Sequence, residues 1–197
     1  MNNNSKIEKH YFFPSILYKI KYDLKKVECD NIFNYVETGI NDRSYSFDKH
    51  VLNEDMFSDI KLFIEKHIEK YVYETMGKNP RLQKLTITQS WLNKIEDDDE
   101  RPTHSHPNSV ISGVFYIGRL KDRFSDINFI PPFHSGFDDG TSRLKVISPK
   151  SGELLLFPSY LKHWVSRNTS KKPRISLSFN TFPLPGWGNE EGLTMIE

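Results

Sequence analysis

Beyond Pro80 the hydrophobic pattern of this chain changes from a helical repeat to short apolar segments separated by turn-rich stretches, and that change limits the fold more than any other feature. Leu85 to Trp91 alternates Leu, Ile and Trp with Thr, Thr and Ser. Val110 to Ile117, Gly152 to Pro158, His163 to Val165 and Arg174 to Phe182 are further segments of strand length. Successive side chains on a strand point to opposite faces, so such segments build a sheet with two different environments. Short strands with turn signals between them predict an antiparallel sandwich or barrel. The prolines, glycines and paired aspartates from Pro131 to Thr141 predict a long loop of the kind that carries specificity on a rigid β scaffold.

The first part of the chain reads differently. Phe57, Ile60, Phe63, Ile64, Ile68, Tyr71 and Val72 recur at steps of three and four, which predicts an amphipathic helix between Asn53 and Gly77. Asn53 or Asp55 is suited to its start and Gly77 to its end. A short helix capped by Asp30 is expected to run to about Val36, and the aromatic and β-branched stretch from Tyr11, with one proline, reads as a strand at a sheet edge. With 197 residues, the expectation is one domain: residues 1–84 an edge strand and supporting helices, 85–183 a β core, 184–197 a tail.

Twenty-seven Lys and Arg against 26 Asp and Glu give a net charge of +1, so charge supplies no argument for nucleic acid or an anionic membrane. Cys29 is the lone cysteine, which rules out an internal disulfide and fits a reducing, cytoplasmic setting. Met1 to Lys9 is polar and no run approaches the roughly 20 apolar residues of a membrane helix, so neither a signal peptide nor a membrane span is expected.

Against this apolar background a few polar residues stand out. His104 and His106, two apart, can reach one metal ion from a single strand face, with His163 arriving from a later strand. The pair taken alone reads more readily as two surface loop histidines, and His163 alone as a hydrogen-bonded structural one. Arg174, Ser176 and Ser178 alternate with Ile175, Leu177 and Phe179, so one strand face is polar. That face is either solvated or lines a cavity in which a guanidinium fork and a hydroxyl receive a carboxylate. The acidic run Glu96 to Glu100 has no spaced ligand pattern and reads as a solvated loop.

Taken together, the order and spacing of Ser105 to Ile117, Gly152 to His163 and Arg174 to Asn180 resemble the iron(II) and 2-oxoglutarate dependent oxygenases, in particular a subgroup of bacteria and their phages. The resemblance covers about Leu85 to Pro183. It implies a mainly β protein with flanking helices (α+β), its core a double-stranded β-helix, a cupin-like jelly-roll of eight core strands with the long helix bracing one sheet. It implies Fe(II) on His104, His106 and His163, the distal carboxylate of 2-oxoglutarate on Arg174 with Ser176, and a reaction in which O2 and 2-oxoglutarate give succinate, CO2 and a hydroxylated substrate, with ascorbate as a reductant. Asn93 and Tyr116 are further candidates for cosubstrate contact.

The chain departs from the family pattern at His106, where the usual triad has a carboxylate. Three readings stay open: three histidine ligands, one histidine of the pair with water, or a carboxylate from Asp138, Asp139 or Glu153. Trp164 and Trp187 are expected to pack, and the loop Phe133 to Gly140, with His134, is expected to close over substrate. A cupin-like three-histidine metalloenzyme without 2-oxoglutarate and a non-catalytic jelly-roll binding or structural module are the competing readings. The expected partner is a small-molecule or peptidyl substrate, with a homodimer through the early edge strand. The expected location is the cytoplasm, or that of the host if a phage encodes the chain.

Overall fold

The computed structural model describes residues 14–41, 44–119, 124–132, 144–188, 191–192 and 194–196. The chain order is β1 (Tyr18–Lys21), α1 (Lys26–Gly39), α2 (Ser58–Met76), β2 (Leu85–Ile95), β3 (Arg101–His104), β4 (Ile111–Ile117), β5 (Ile127–Phe129), β6 (Lys145–Ile147), β7 (Glu153–Pro158), β8 (His163–Val165) and β9 (Arg174–Pro183). One antiparallel sheet has the order β1-β7-β4-β9-β2 and the other β3-β8-β5-β6. Strands β2 to β9 are the eight of a double-stranded β-helix, and β1 extends the larger sheet at its edge.

At β4 and β7 both faces of the larger sheet are buried, which explains why these strands read as continuous apolar runs rather than alternating ones. Phe115, Ile117, Leu154, Leu156, Ile175 and Leu177 face outward and pack with Ile60, Ile64, Ile68 and Tyr71 of α2. Val114, Tyr116, Leu155 and Phe157 point inward, against Ile127, Phe129 and Ile147 of the smaller sheet. The site lies in this inner layer.

Helix α2 ends where the sequence predicts. Gly77 takes the left-handed conformation, φ 64°, and its N–H donates to the Val72 carbonyl. The starts differ from expectation. Helix α1 begins at Lys26, four residues before Asp30, because the Glu28 carboxylate accepts from the Lys25 N–H at 2.7 Å. Neither Asn53 nor Asp55 caps α2: residues 51–57 form two 3-10 turns, Phe57 precedes the helix, and the Asn53 side chain accepts from Lys61 at 2.9 Å instead. The early edge strand is Tyr18–Lys21; Tyr11 lies outside the described residues. Among the described residues no helix is long and apolar enough to cross a membrane.

The acidic run is exposed, yet it is organised. Asp97 pairs with Lys171 at 2.8 Å and Asp98 with Arg167 at 2.9 Å. Exposed pairs contribute little to stability. The backbone does more: Asp98 N–H donates to Asn168 O at 2.7 Å and Asn168 N–H to Asp99 O at 2.8 Å, while the buried Asn168 amide donates to Ile95 O and Lys172 O. This clasp fixes the ends of β2, β3 and β9 beside one another.

Gly113 on β4 is where the Phe179 ring passes. A Cβ there would lie 2.1 Å from the ring's Cζ, and Phe179 is fully buried. Gly113→Ala is therefore expected to lower stability by about 1–3 kcal/mol through overpacking. A urea melt would read this as a lower midpoint with an unchanged slope.

Candidate functional site

His104 ends β3, directly opposite His163 at the start of β8. His106 is not on the strand: it lies two residues past its end, where its backbone N–H donates to the Ser159 carbonyl at 3.0 Å. The pair therefore converges through a loop bond rather than through strand alternation. Ser159 is itself held by Ser112 and Ser109, each at 2.8 Å, in a buried hydroxyl chain that ends on Asn180. One ring nitrogen from each of His104, His106 and His163 lies within 4.8 Å of the others, a grouping that can hold one metal ion.

A second ring nitrogen is engaged in two of these histidines. His163 Nδ1 lies 2.9 Å from Leu161 O and His104 Nδ1 2.8 Å from Pro102 O. A carbonyl only accepts, so each Nδ1 carries the proton and each Nε2 presents a lone pair, as metal binding requires. Phe129 and Phe157 flank the His163 ring at 5.6 and 5.0 Å between centroids. Burial lowers His163 from 6.5 to about 4, and burial together with the charge of His104 does the same to His106. Both rings are neutral at neutral pH.

This shift has a sign that can be tested. The unfolded chain takes up a proton near pH 6.5 that folded His163 takes up only near pH 4. Stability of the metal-free protein is thus fully present above the unfolded value and falls as pH drops through this window, by about 3 kcal/mol for His163 alone. Thermal melts of chelator-treated protein should show Tm falling between those limits, with a shallower fall in His163→Ala.

Arg174 opens β9 and is 3% exposed. Its guanidinium carbon lies 5.0 Å from the Tyr116 ring centre, and its Nε has no hydrogen-bond partner. Burial lowers its pKa from the ordinary value. Burial likewise raises that of Tyr116, opposed by the Arg174 charge; the Tyr116 hydroxyl makes no hydrogen bond of normal geometry. A buried fork with an unused donor is suited to a carboxylate. Ser176 and Ser178 share its cavity with Asn93, whose amide donates to Ser178 Oγ at 2.9 Å and whose oxygen accepts from Trp91 at 3.2 Å.

The three histidines, Arg174, Ser176, Ser178 and Asn93 line one cavity of about 410 Å³ between the two sheets, and Tyr116 backs Arg174 without lining it. Glu153 lies elsewhere, paired with Lys19 at 3.2 Å and accepting from the Lys150 N–H, so it is no ligand to this group. Asp138, Asp139 and His134 lie outside the described residues. Trp187 packs on the helix-side core, while Trp164 lines an outer groove away from the histidines. Tyr45, Lys49 and Arg101 also line the cavity, and sequence reasoning did not select them. Arg101, three residues before His104, carried the only local signal.

Comparison with known proteins agrees with this fold. Residues 89–180 match the family described as "Putative 2OG-Fe(II) oxygenase". No curated protein matches the sequence. Among solved structures, an oxidoreductase of the 2OG-Fe(II) oxygenase family from Burkholderia pseudomallei is 13% identical with a TM-score of 0.60, covering 85% of this chain and 84% of that one. HygX from Streptomyces hygroscopicus, solved with nickel and 2-oxoglutarate bound, is 12% identical with a TM-score of 0.60, covering 85% and 81%. The viral collagen prolyl hydroxylase from Paramecium Bursaria Chlorella virus-1 is 12% identical with a TM-score of 0.61, covering 91% and 99%. At these identities the likeness is one of fold.

Proposed function

We propose, for a chain whose residues 89–180 carry the core of a 2-oxoglutarate and Fe(II) dependent oxygenase, that His104, His106 and His163 hold the iron and Arg174 anchors the cosubstrate in a hydroxylation of a small-molecule or peptidyl substrate. One observation carries this reading. Three convergent imidazoles and a buried guanidinium with an unpartnered Nε share a single cavity, which suits a metal and a dicarboxylate together. A cupin-like three-histidine enzyme has no use for Arg174.

The donor set fits a first-row divalent metal, since neutral imidazoles are ligands to iron as well as to zinc and copper. With O2 and 2-oxoglutarate, bound iron supplies the oxidising chemistry, yielding succinate, CO2 and an oxygenated substrate. The chain's own part is positioning. The carbonyls of Pro102 and Leu161 fix the tautomers and ring planes of His104 and His163, and Ser159 O fixes the backbone of His106. Arg174 offers two parallel N–H donors to the distal carboxylate, while Ser176 contributes a hydroxyl to the same wall. Val114, Phe157 and Phe179 keep the inner wall apolar, which limits water around the reacting atoms. Asn93 orients Trp91 and Ser178 on the paired strands β2 and β9 of the same sheet.

The test is succinate formation from 2-oxoglutarate under oxygen, with Fe(II) and ascorbate. Iron-dependent succinate that a chelator removes is the expected result. Failure to bind both metal and 2-oxoglutarate would sink the proposal.

A further inference from the structure

The cavity carries more positive charge than one cosubstrate explains. Lys49, Arg101 and Arg174 all line it, and no carboxylate is among its described lining residues. If Arg174 receives the distal carboxylate of 2-oxoglutarate, two cations are left, Lys49 and an Arg101 that is ion-paired on one side with Asp99 at 2.7 Å. They sit together: the Arg101 guanidinium is 5.3 Å and the Lys49 ammonium 5.8 Å from the centre of the same Tyr45 ring.

Arg101 is half committed. Its Nη1 donates to Asp99 at 2.7 Å and to Glu100 O at 2.9 Å, and its Nη2 to Lys94 O at 3.3 Å. Its Nε is buried and has no hydrogen-bond partner. Lys49 donates to the Ser46 carbonyl and makes no ion pair among the described residues. The wall that carries Tyr45 and Lys49 is built into the sheet rather than hanging from it. Ser46 N–H donates to Leu92 O at 3.0 Å, Ser90 N–H to Lys49 O at 2.7 Å and Lys94 N–H to Ser44 O at 2.9 Å. Like charges gathered in one partly dry space repel, and Arg101 pushes the pKa of Arg174 in the same direction as burial does. Such an arrangement is relieved by anions, and it draws them in.

We infer that the substrate oxidised at this site is an oxyanion, its carboxylate or phosphate received by Arg101 and Lys49 beside Tyr45. The inference rests on the oxygenase reading, because that reading assigns Arg174 to the cosubstrate. A guanidinium with a free Nε and an unspent Nη2 hydrogen can still make one two-point contact to oxygen atoms, and an ammonium beside it adds a flexible point charge.

The experiment uses the full chain loaded with Co(II), whose visible spectrum reports on the centre, and saturated with 2-oxoglutarate. Inorganic phosphate and acetate are titrated separately at constant ionic strength, by calorimetry. At least one is expected to bind in the millimolar range without displacing 2-oxoglutarate, and about tenfold more weakly in Arg101→Gln and in Lys49→Gln, with partial recovery in Arg101→Lys. The probe that binds tells phosphate from carboxylate chemistry. Binding of neither probe, equal binding in the variants, or displacement of 2-oxoglutarate, which would make Arg101 part of the cosubstrate pocket, overturns the inference. Failure to take up Co(II) or 2-oxoglutarate in the first place would instead strike the oxygenase assignment of these residues.

Discussion

His163→Ala is expected to abolish iron-dependent succinate formation and to weaken Co(II) or Fe(II) binding by about a hundredfold. His163 is 3% exposed, faces His104 across the β3–β8 pair and has its Nδ1 proton tied to Leu161 O, so its free nitrogen is already directed at the other two rings. No neighbour can replace it, because Phe129 and Phe157 occupy the adjacent space. Loss of fold is separated from loss of metal by the melting curve. The variant lacks a ring that resists protonation, so the metal-free protein should become less sensitive to acid even while metal binding is lost. Metal affinity equal to that of the unaltered chain would remove His163 from the ligand set.

Arg174→Ala should leave metal uptake in place and weaken 2-oxoglutarate binding by about two to three orders of magnitude, corresponding to about 3–4 kcal/mol for a buried two-point charged contact. Calorimetry on the Co(II)-loaded variant reads both quantities. Arg174→Lys keeps a charge but not the planar fork, and should recover only part of the loss. Tyr116 stacks on the guanidinium and Ser176 lies two residues along the same strand, so the anchor point itself stays defined when the arginine is shortened. Unchanged affinity in Arg174→Ala would remove Arg174 from the cosubstrate site.

Much of this architecture was legible in the residues because the strands are strongly patterned. Arg174, Ser176 and Ser178 alternate with Ile175 and Leu177, and the structure turns the first set to the cavity and the second to the helix-side core. The period of α2 and its Gly77 stop are equally local signals. The helix starts were less legible, since Glu28 reaching back and two tight turns at residues 51–57 are choices between competing local bonds. The convergence of His106 was read for the wrong reason. It depends on a bond to Ser159, 53 positions later in the chain, which strand periodicity cannot encode. Tyr45 and Lys49 gave no signal at all, because their segment reaches the site only by pairing with β2.

The position of β9 has a consequence for how the molecule comes into being. It is the last strand in chain order among the described residues, yet it lies between β4 and β2 in the interior of the larger sheet. Until it inserts, β2 has no partner in that sheet and β4 has an open edge. The sheet must therefore wait for pairings across nearly 100 residues, such as Leu85 with Pro183, and folding dominated by such distant pairings is slow. An emerging polypeptide that has displayed all three histidines still lacks the strand that closes the barrel around them. Because that strand begins with Arg174, closure and the arrival of the anchor are one event, and a half-made chain cannot pass for a working one.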